Sequence, residues 1–197
     1  MGRSLFRHLL TAIANPRFLD GSETVYLYGP TGTGKSHLLA ALVCRLIRNG
    51  ERVVFIPDCL ELLRDPPAVI RKALLFAFYD EPDLCDEIGR SVDMADLINF
   101  TRRRAENTIY FVVDQRDALD SGRLTVSKAV VKTEAFEAIN SLRAFQKYIF
   151  SASSNELSDR DCNERQSGID TVDPTKDWTG YVLTSSITSP HVLQVEA

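Results

Sequence analysis

The chain has 197 residues, 44% of them hydrophobic, and a formal net charge of −4 at pH 7. That length supports one buried core, or one core with a tail. The acidic balance does not point to a generally basic nucleic-acid binder and leaves only a local basic patch for such contacts. No apolar run approaches the ~20 residues that span a bilayer, so no membrane partner is expected.

From the N-terminus, Met1 to Asn15 reads as a short amphipathic helix, with Leu5, Leu9, Ala12 and Ile13 on one face. Its apolar positions are too interrupted for a secretory segment, and Pro16 stops it. Thr24 to Tyr28 is β-branched and aromatic, which predicts a buried strand. Gly29-Pro30-Thr31-Gly32-Thr33-Gly34-Lys35-Ser36 follows and completes the pattern G-x-x-x-x-G-K-S. Glycines let the backbone curl around a phosphate, and consecutive N–H groups make a nest for its oxygens. In that pattern Lys35 reaches the β- and γ-phosphates, and the Ser36 hydroxyl ligates Mg²⁺. His37 opens the helix behind the loop, whose N-terminal dipole adds to anion binding. Leu38, Leu39, Leu42, Val43, Leu46 and Ile47 fall at helical spacing, and Asn49-Gly50 predicts the stop. ATP and Mg²⁺ are the expected ligands. An N-K-x-D guanine-reading motif does not occur, since Thr175-Lys176-Asp177 has its aspartate one residue early.

Arg52 to Ile56 predicts a second strand, closed by Pro57. Asp58 to Arg64 looks like a turn or two of helix. Pro66-Pro67 opens a longer helix with Val69, Ile70, Ala73, Leu74, Ala77 and Phe78 on one side. Asp83 to Arg90 and Asp93 to Arg104 read as helices, the latter capped by Ser91 or Asp93. Thr108 to Asp114 is the clearest buried strand. Thr133 to Gln146 forms another amphipathic helix, with Ala135, Phe136, Ile139, Leu142 and Phe145 inward, and Tyr148 to Ala152 is the next strand. Strands alternating with helices predict an α/β fold of the P-loop NTPase class: a parallel sheet between helices, with no separate lid domain. The expected division is an N-terminal helical segment over 1–20, a core over 21–152, a polar loop or insertion over 153–180, and a possible last strand and tail over 181–197.

A P-loop needs an acidic residue at the end of a neighbouring strand to hold the Mg²⁺ shell. Asp114 and Asp80-Glu81 compete for that role. The β-branched run before Asp114 fits a strand, whereas the run before Asp80 keeps helical spacing back to Ile70. Asp114 is therefore assigned the metal shell. Gln115 then stands where many ATPases carry a catalytic glutamate. An amide orients water but takes no proton at neutral pH. Hydrolysis is therefore expected to be slow, or to use a base elsewhere such as Glu81 or Asp117. Ser151, Ser153, Ser154 and Asn155 close the following strand, and Asn155 or Ser153 is the candidate for touching the γ-phosphate or the attacking water. Arg102-Arg103-Arg104 offers an arginine finger, a phosphate clamp or a nucleic-acid contact, against the plainer reading of a solvated helix end. Arg116 and Arg143 are weaker finger candidates. Cys44, Cys59, Cys85 and Cys162 form no C-x-x-C pair, and the three histidines are too scattered for a metal site. Idle thiols in a reducing, intracellular setting are expected.

Tyr26 to Ser36, Val54-Phe55-Ile56-Pro57-Asp58-Cys59, Tyr110 to Gln115 and Ser151-Ala152-Ser153 resemble the P-loop NTPase domain of Crinkler-type effector proteins. The resemblance covers roughly 20–155. It implies an AAA+ or STAND-like ATP-driven switch, with Lys35, Ser36 and Asp114 as binding residues, a protein partner, a nucleotide-dependent oligomer and action in a host cell or nucleus. Leu27 to Leu42 is equally similar to helicase-loader and transposition-helper AAA+ proteins, which act on DNA. A small nucleotide kinase with Arg102 to Arg104 as lid, and a non-hydrolysing scaffold, are the remaining alternatives.

Overall fold

The computed structural model describes residues 2–14, 23–29, 32–104, 108–119, 135, 137–139, 141–142, 147–153, 181–186 and 190–193. In chain order these form α1 (Gly2–Ile13), β1 (Glu23–Gly29), α2 (Lys35–Arg48), β2 (Arg52–Ile56), α3 (Cys59–Leu62), α4 (Pro66–Ala77), α5 (Pro82–Arg90), α6 (Met94–Arg103) and β3 (Ile109–Val113). A 3₁₀ turn (Arg116–Leu119), β4 (Lys147–Ser153), β5 (Tyr181–Ser186) and β6 (Pro190–Leu193) follow. Positions 135, 137–139, 141 and 142 are helical, within the helix expected over Thr133 to Gln146.

Local chemistry sets the element ends. Asp58 accepts the Leu60 N–H at 2.7 Å, Asp65 the Ala68 N–H at 3.0 Å and Asp93 the Asp96 N–H at 2.9 Å, each capping a helix start. Of the two cap candidates for α6, Asp93 is the one used. α2 ends in a Schellman turn: Gly50 takes φ +81°, its N–H donates to Ile47 O at 2.9 Å, and the Glu51 N–H donates to Leu46 O at 3.1 Å.

The strands form one mixed sheet in the order β2-β3-β4-β1-β5-β6. β2, β3, β4 and β1 are parallel, as expected. The expected last strand joins beside β1, but antiparallel, and β6 pairs antiparallel to it. The parallel sheet expected from the alternation of strands and helices is thus present in β2, β3, β4 and β1, with β5 and β6 adding an antiparallel extension beside β1.

Alternation along the parallel strands divides the core in two. Val25, Leu27, Val53, Tyr110, Val112 and Ile149 face α1 and α2, meeting Leu9, Ala12, Leu39 and Leu42. Val54, Ile56, Phe111, Val113, Tyr148 and Phe150 face the opposite layer, with Leu62, Ile70, Leu74, Leu97 and Ile139. β3 is buried at every position because it is covered on both faces. α1 shares the core of β1 and α2, so the N-terminal helix packs as part of the main body. On the second face Phe111 stacks on Tyr148 at 5.2 Å, and the Tyr148 hydroxyl donates to Ile139 O at 3.0 Å.

Candidate nucleotide site

β1 sends the chain to α2 on one face, while β2 and β3 send it to the opposite layer. A crevice at the carboxyl ends of parallel strands follows from that divergence, and ligands of open α/β sheets bind in such places. β4 lies between β1 and β3, in a register that pairs Gly29 with Ser153, Leu27 with Ser151, and Val113 with Phe150. The loop after β1, the end of β4 and the residue after β3 therefore share one edge.

At the first of these, Gly32 and Gly34 take φ +84° and +86°, and α2 starts at Lys35. The left-handed values favour glycine. A Cβ built at either glycine meets nothing within 4 Å. Open space lies in front of both, as a loop that wraps a phosphate requires. The N-cap of α2 is Gly34, with no side-chain cap on the first turn, the arrangement in which a helix N-terminus can accept an anion. Thr33 and Lys35 are half-buried, while Ser36 and His37 are exposed. Gly29 ends β1, and Pro30, Thr31 and Asn155 lie outside the described residues, as do Ser154 and Arg143.

At the third, Asp114 follows β3 and is only 3% exposed. Its N–H donates to Ile56 O at 2.9 Å, continuing the ladder toward β2 by one step. Its Oδ1 accepts the Ser151 hydroxyl and the Gln115 N–H, the latter at 2.9 Å. The same N–H lies 3.1 Å from Ser151 Oγ. Gln115 has φ +56°, the only positive value at a non-glycine among the described residues, and its side chain is exposed. Arg116 is buried, with its guanidinium 5.0 Å from the Phe150 ring. Asp117 sits in the 3₁₀ turn beside the site.

A buried carboxylate beside an open glycine cradle and a helix N-terminus fits a magnesium–triphosphate group. The loop nitrogens and Lys35 would take phosphate oxygens, and Ser36 with Asp114 would hold the metal and its water. Among the described residues no cluster of three or more His, Cys, Asp or Glu stands ready for a metal by itself. A phosphate-bound cation, whose ligands come largely from the nucleotide, needs none.

Other candidates lie elsewhere. Asp80 and Glu81 both pair with Arg52, the first residue of β2, at the amino end of the strands. Glu81 is therefore no base for this site. Arg103 and Arg104 bind Glu87 at the end of α6, which leads into the start of β3. The arginine run is at the edge opposite the glycine loop, because each helix returns the chain to the amino end of the next strand. It forms no clamp on its own phosphate loop. Cys59 is buried, Cys85 half-buried and Cys44 exposed, and none of the three is in a disulfide among the described residues. Sequence reasoning passed over Ser151 in favour of its neighbours. The signal was a serine inside an otherwise apolar strand, a position where a hydroxyl requires a partner.

The sheet topology and the G-x-x-x-x-G-K-S loop that enters α2 define an α/β domain of the P-loop NTPase fold class. Residues 2–66 match the family of IstB-like ATP binding proteins, from α1 through the glycine loop to the start of α4. The ATP-binding protein of insertion sequence IS21 from Pseudomonas aeruginosa is 41% identical over 51 residues, covering 26% of this chain and 19% of that protein. An insertion-sequence ATP-binding protein of Sinorhizobium fredii is 30% identical over 105 residues, 52% of this chain and 33% of the relative. The genome polyprotein of Human klassevirus 1 is 32% identical over 142 residues, 66% of this chain but 5% of the polyprotein. The chain thus spans a third or less of the length of these relatives. Among solved structures, the pCW3 conjugation coupling protein TcpA in its ATPγS-bound monomer form aligns with a TM-score of 0.45 at 14% identity, over 89% of this chain and 60% of that one. Among the described residues no helix is long and apolar enough to cross a membrane.

Proposed function

We propose that the chain is a magnesium-dependent ATPase of low intrinsic turnover, working as a nucleotide switch of the transposition-helper kind and acting with DNA. The observation that carries the nucleotide chemistry is the open cradle at Gly32 and Gly34, running straight into α2 beside the buried Asp114. In this reading Lys35 pairs with the β- and γ-phosphates, and Ser36 and Asp114 hold the metal. Bound magnesium neutralises charge that develops on the phosphates. Gln115 orients the attacking water without accepting its proton, which makes turnover slow. The proposed core covers β1 to β4, with α1 packed on it and β5 and β6 extending its sheet.

The insertion-sequence relatives support the DNA-directed reading over the effector reading. The pieces shared with Crinkler-type proteins also have local structural roles. Asp58 caps α3, and Cys59 is fully buried beneath it. A kinase lid built from Arg102 to Arg104 is disfavoured, because that run lies at the opposite edge of the sheet. The test measures ATP binding and turnover with and without DNA, with mass determined in ATP and in ADP. DNA-stimulated turnover and a nucleotide-dependent mass support the proposal. Phosphate transfer to a nucleoside monophosphate, or turnover indifferent to DNA, counts against it.

A further inference from the structure

We infer that Ser151 is the positioning residue of the magnesium site: through its hydroxyl it fixes the Asp114 carboxylate and the left-handed backbone of Gln115 as one unit. The inference rests on the proposed role of Asp114 and adds a residue to that site. Ser151 is 1% exposed, in the middle of β4 and between β1 and β3. Its Oγ–H donates to Asp114 Oδ1, and its Oγ lies 3.1 Å from the Gln115 nitrogen. The Gln115 N–H also donates to Asp114 Oδ1 at 2.9 Å. The three groups close a triangle.

Two consequences follow from that triangle. Both hydrogen bonds to the carboxylate fall on Oδ1, so Oδ2 is the oxygen that would face a metal's water. Rotation of the carboxylate breaks both bonds at once, so its rotamer is held. Gln115, at φ +56°, pays a backbone cost that a free chain would relieve by leaving the left-handed region. The Asp114 and Ser151 oxygens hold its N–H in place, and so set where the Gln115 side chain leaves the backbone. Ser151 thus acts on both the metal shell and the water-orienting residue through Asp114 and Gln115, as a positioning residue that itself holds neither the metal nor the attacking water.

The test titrates Mg²⁺ into the full chain with a fluorescent ATP analogue, comparing wild type with Ser151→Ala, Ser151→Cys and Asp114→Asn. Partners behind a metal site typically set affinity by about 10–100-fold. Ser151→Ala should raise the Mg²⁺ concentration for half-maximal tightening about tenfold and leave metal-free ATP affinity unchanged. Ser151→Cys keeps a donor at the same position, weaker and on a larger atom, so it should shift the titration in the same direction by less. If Ser151→Ala does not fold, the cysteine variant decides. Wild-type Mg²⁺ dependence in a folded Ser151 variant overturns the inference, provided Asp114→Asn shifts it. An unshifted titration for Asp114→Asn overturns instead the metal role of Asp114.

Discussion

Arg52 grips Asp80 with both arms of its guanidinium: Nη1 donates to Oδ1 and Nη2 donates to Oδ2 at 3.1 Å. Nη1 also reaches the Ala77 carbonyl at 3.0 Å, and the guanidinium lies 5.3 Å from the Phe78 ring. The Asp-Glu pair thus ties the turn after α4 to the start of β2. The hydrogen bond from Arg52 holds the Asp80 carboxyl below its ordinary value of 3.8. A carboxyl depressed in the folded state adds stability above its unfolded value, and that stability disappears as pH falls through the folded value. Asp80→Asn should therefore lower the melting temperature slightly at neutral pH. The gap to wild type should close below about pH 4. Added salt should narrow it too, since the pair is largely exposed. Melts across pH 2.5 to 7 check this; a gap that widens in acid contradicts the assignment.

Asp80 and Asp114 also separate in nucleotide binding. Asp114→Asn keeps the shape and an acceptor for Ser151 but removes the charge proposed to face the metal. It should weaken Mg²⁺-dependent ATP binding by about tenfold or more. Asp80→Asn, at the other edge of the sheet, should leave that binding at the wild-type level. A larger loss from Asp80→Asn overturns the placement of the site.

Lys35→Ala should remove tight ATP binding and leave the fold intact. The side chain is half-buried at the first residue of α2, where alanine is an excellent helix former. Loss of a charge-assisted contact to phosphate costs about 2–5 kcal/mol. Calorimetric titration should show affinity reduced about a hundredfold or more, with unchanged circular dichroism. Unreduced affinity removes the phosphate-binding role from this loop.

Gly34 and Gly50 form a natural control pair. Their φ values are +86° and +81°, and neither has an atom within 4 Å of a built Cβ. Alanine at either should cost about 1–2 kcal/mol, from backbone conformation alone. Only Gly34→Ala should weaken ATP binding, because its methyl enters the space proposed for phosphate. Denaturant unfolding and nucleotide titration of the two variants measure both effects. Equal loss of ATP affinity from Gly50→Ala contradicts the local cause.

The residues that made these elements legible are those whose neighbours in sequence are also their neighbours in space. Val53 to Ile56 and Ile109 to Val113 announce strands by branching, and Leu38 to Leu46 announces a helix by period. The choice of Asp114 over Asp80 also came from period, since helical spacing carried Asp80 away from any strand end. Strand order did not show, because β4 enters between β1 and β3 through pairings that no local pattern encodes. Ser151 was obscure for the same reason: its carboxylate partner is 37 residues away. The direction of β5 was equally hidden, since Tyr181 to Thr184 reads as a strand whichever way it pairs.

Gln115 carries the last prediction. Its N–H is fixed by Asp114 and Ser151, and its exposed side chain leaves a left-handed backbone at the end of the Asp114 strand. With an amide there, turnover should lie well below the ~10 s⁻¹ typical of enzymes. A positioned general base contributes roughly 10²–10⁴-fold. Gln115→Glu changes the head group without changing the backbone or the length, so it should raise turnover where the water is already in place. The new charge beside the phosphates should weaken ATP affinity at the same time. Single-turnover hydrolysis of bound ATP separates the two effects, and a faster chemical step with looser binding is the expected pair. If wild type already turns over rapidly and Gln115→Glu slows it, another group is the base. Asp117, two residues further along in the 3₁₀ turn, is then the next residue to substitute, because Glu81 lies at the far edge of the sheet.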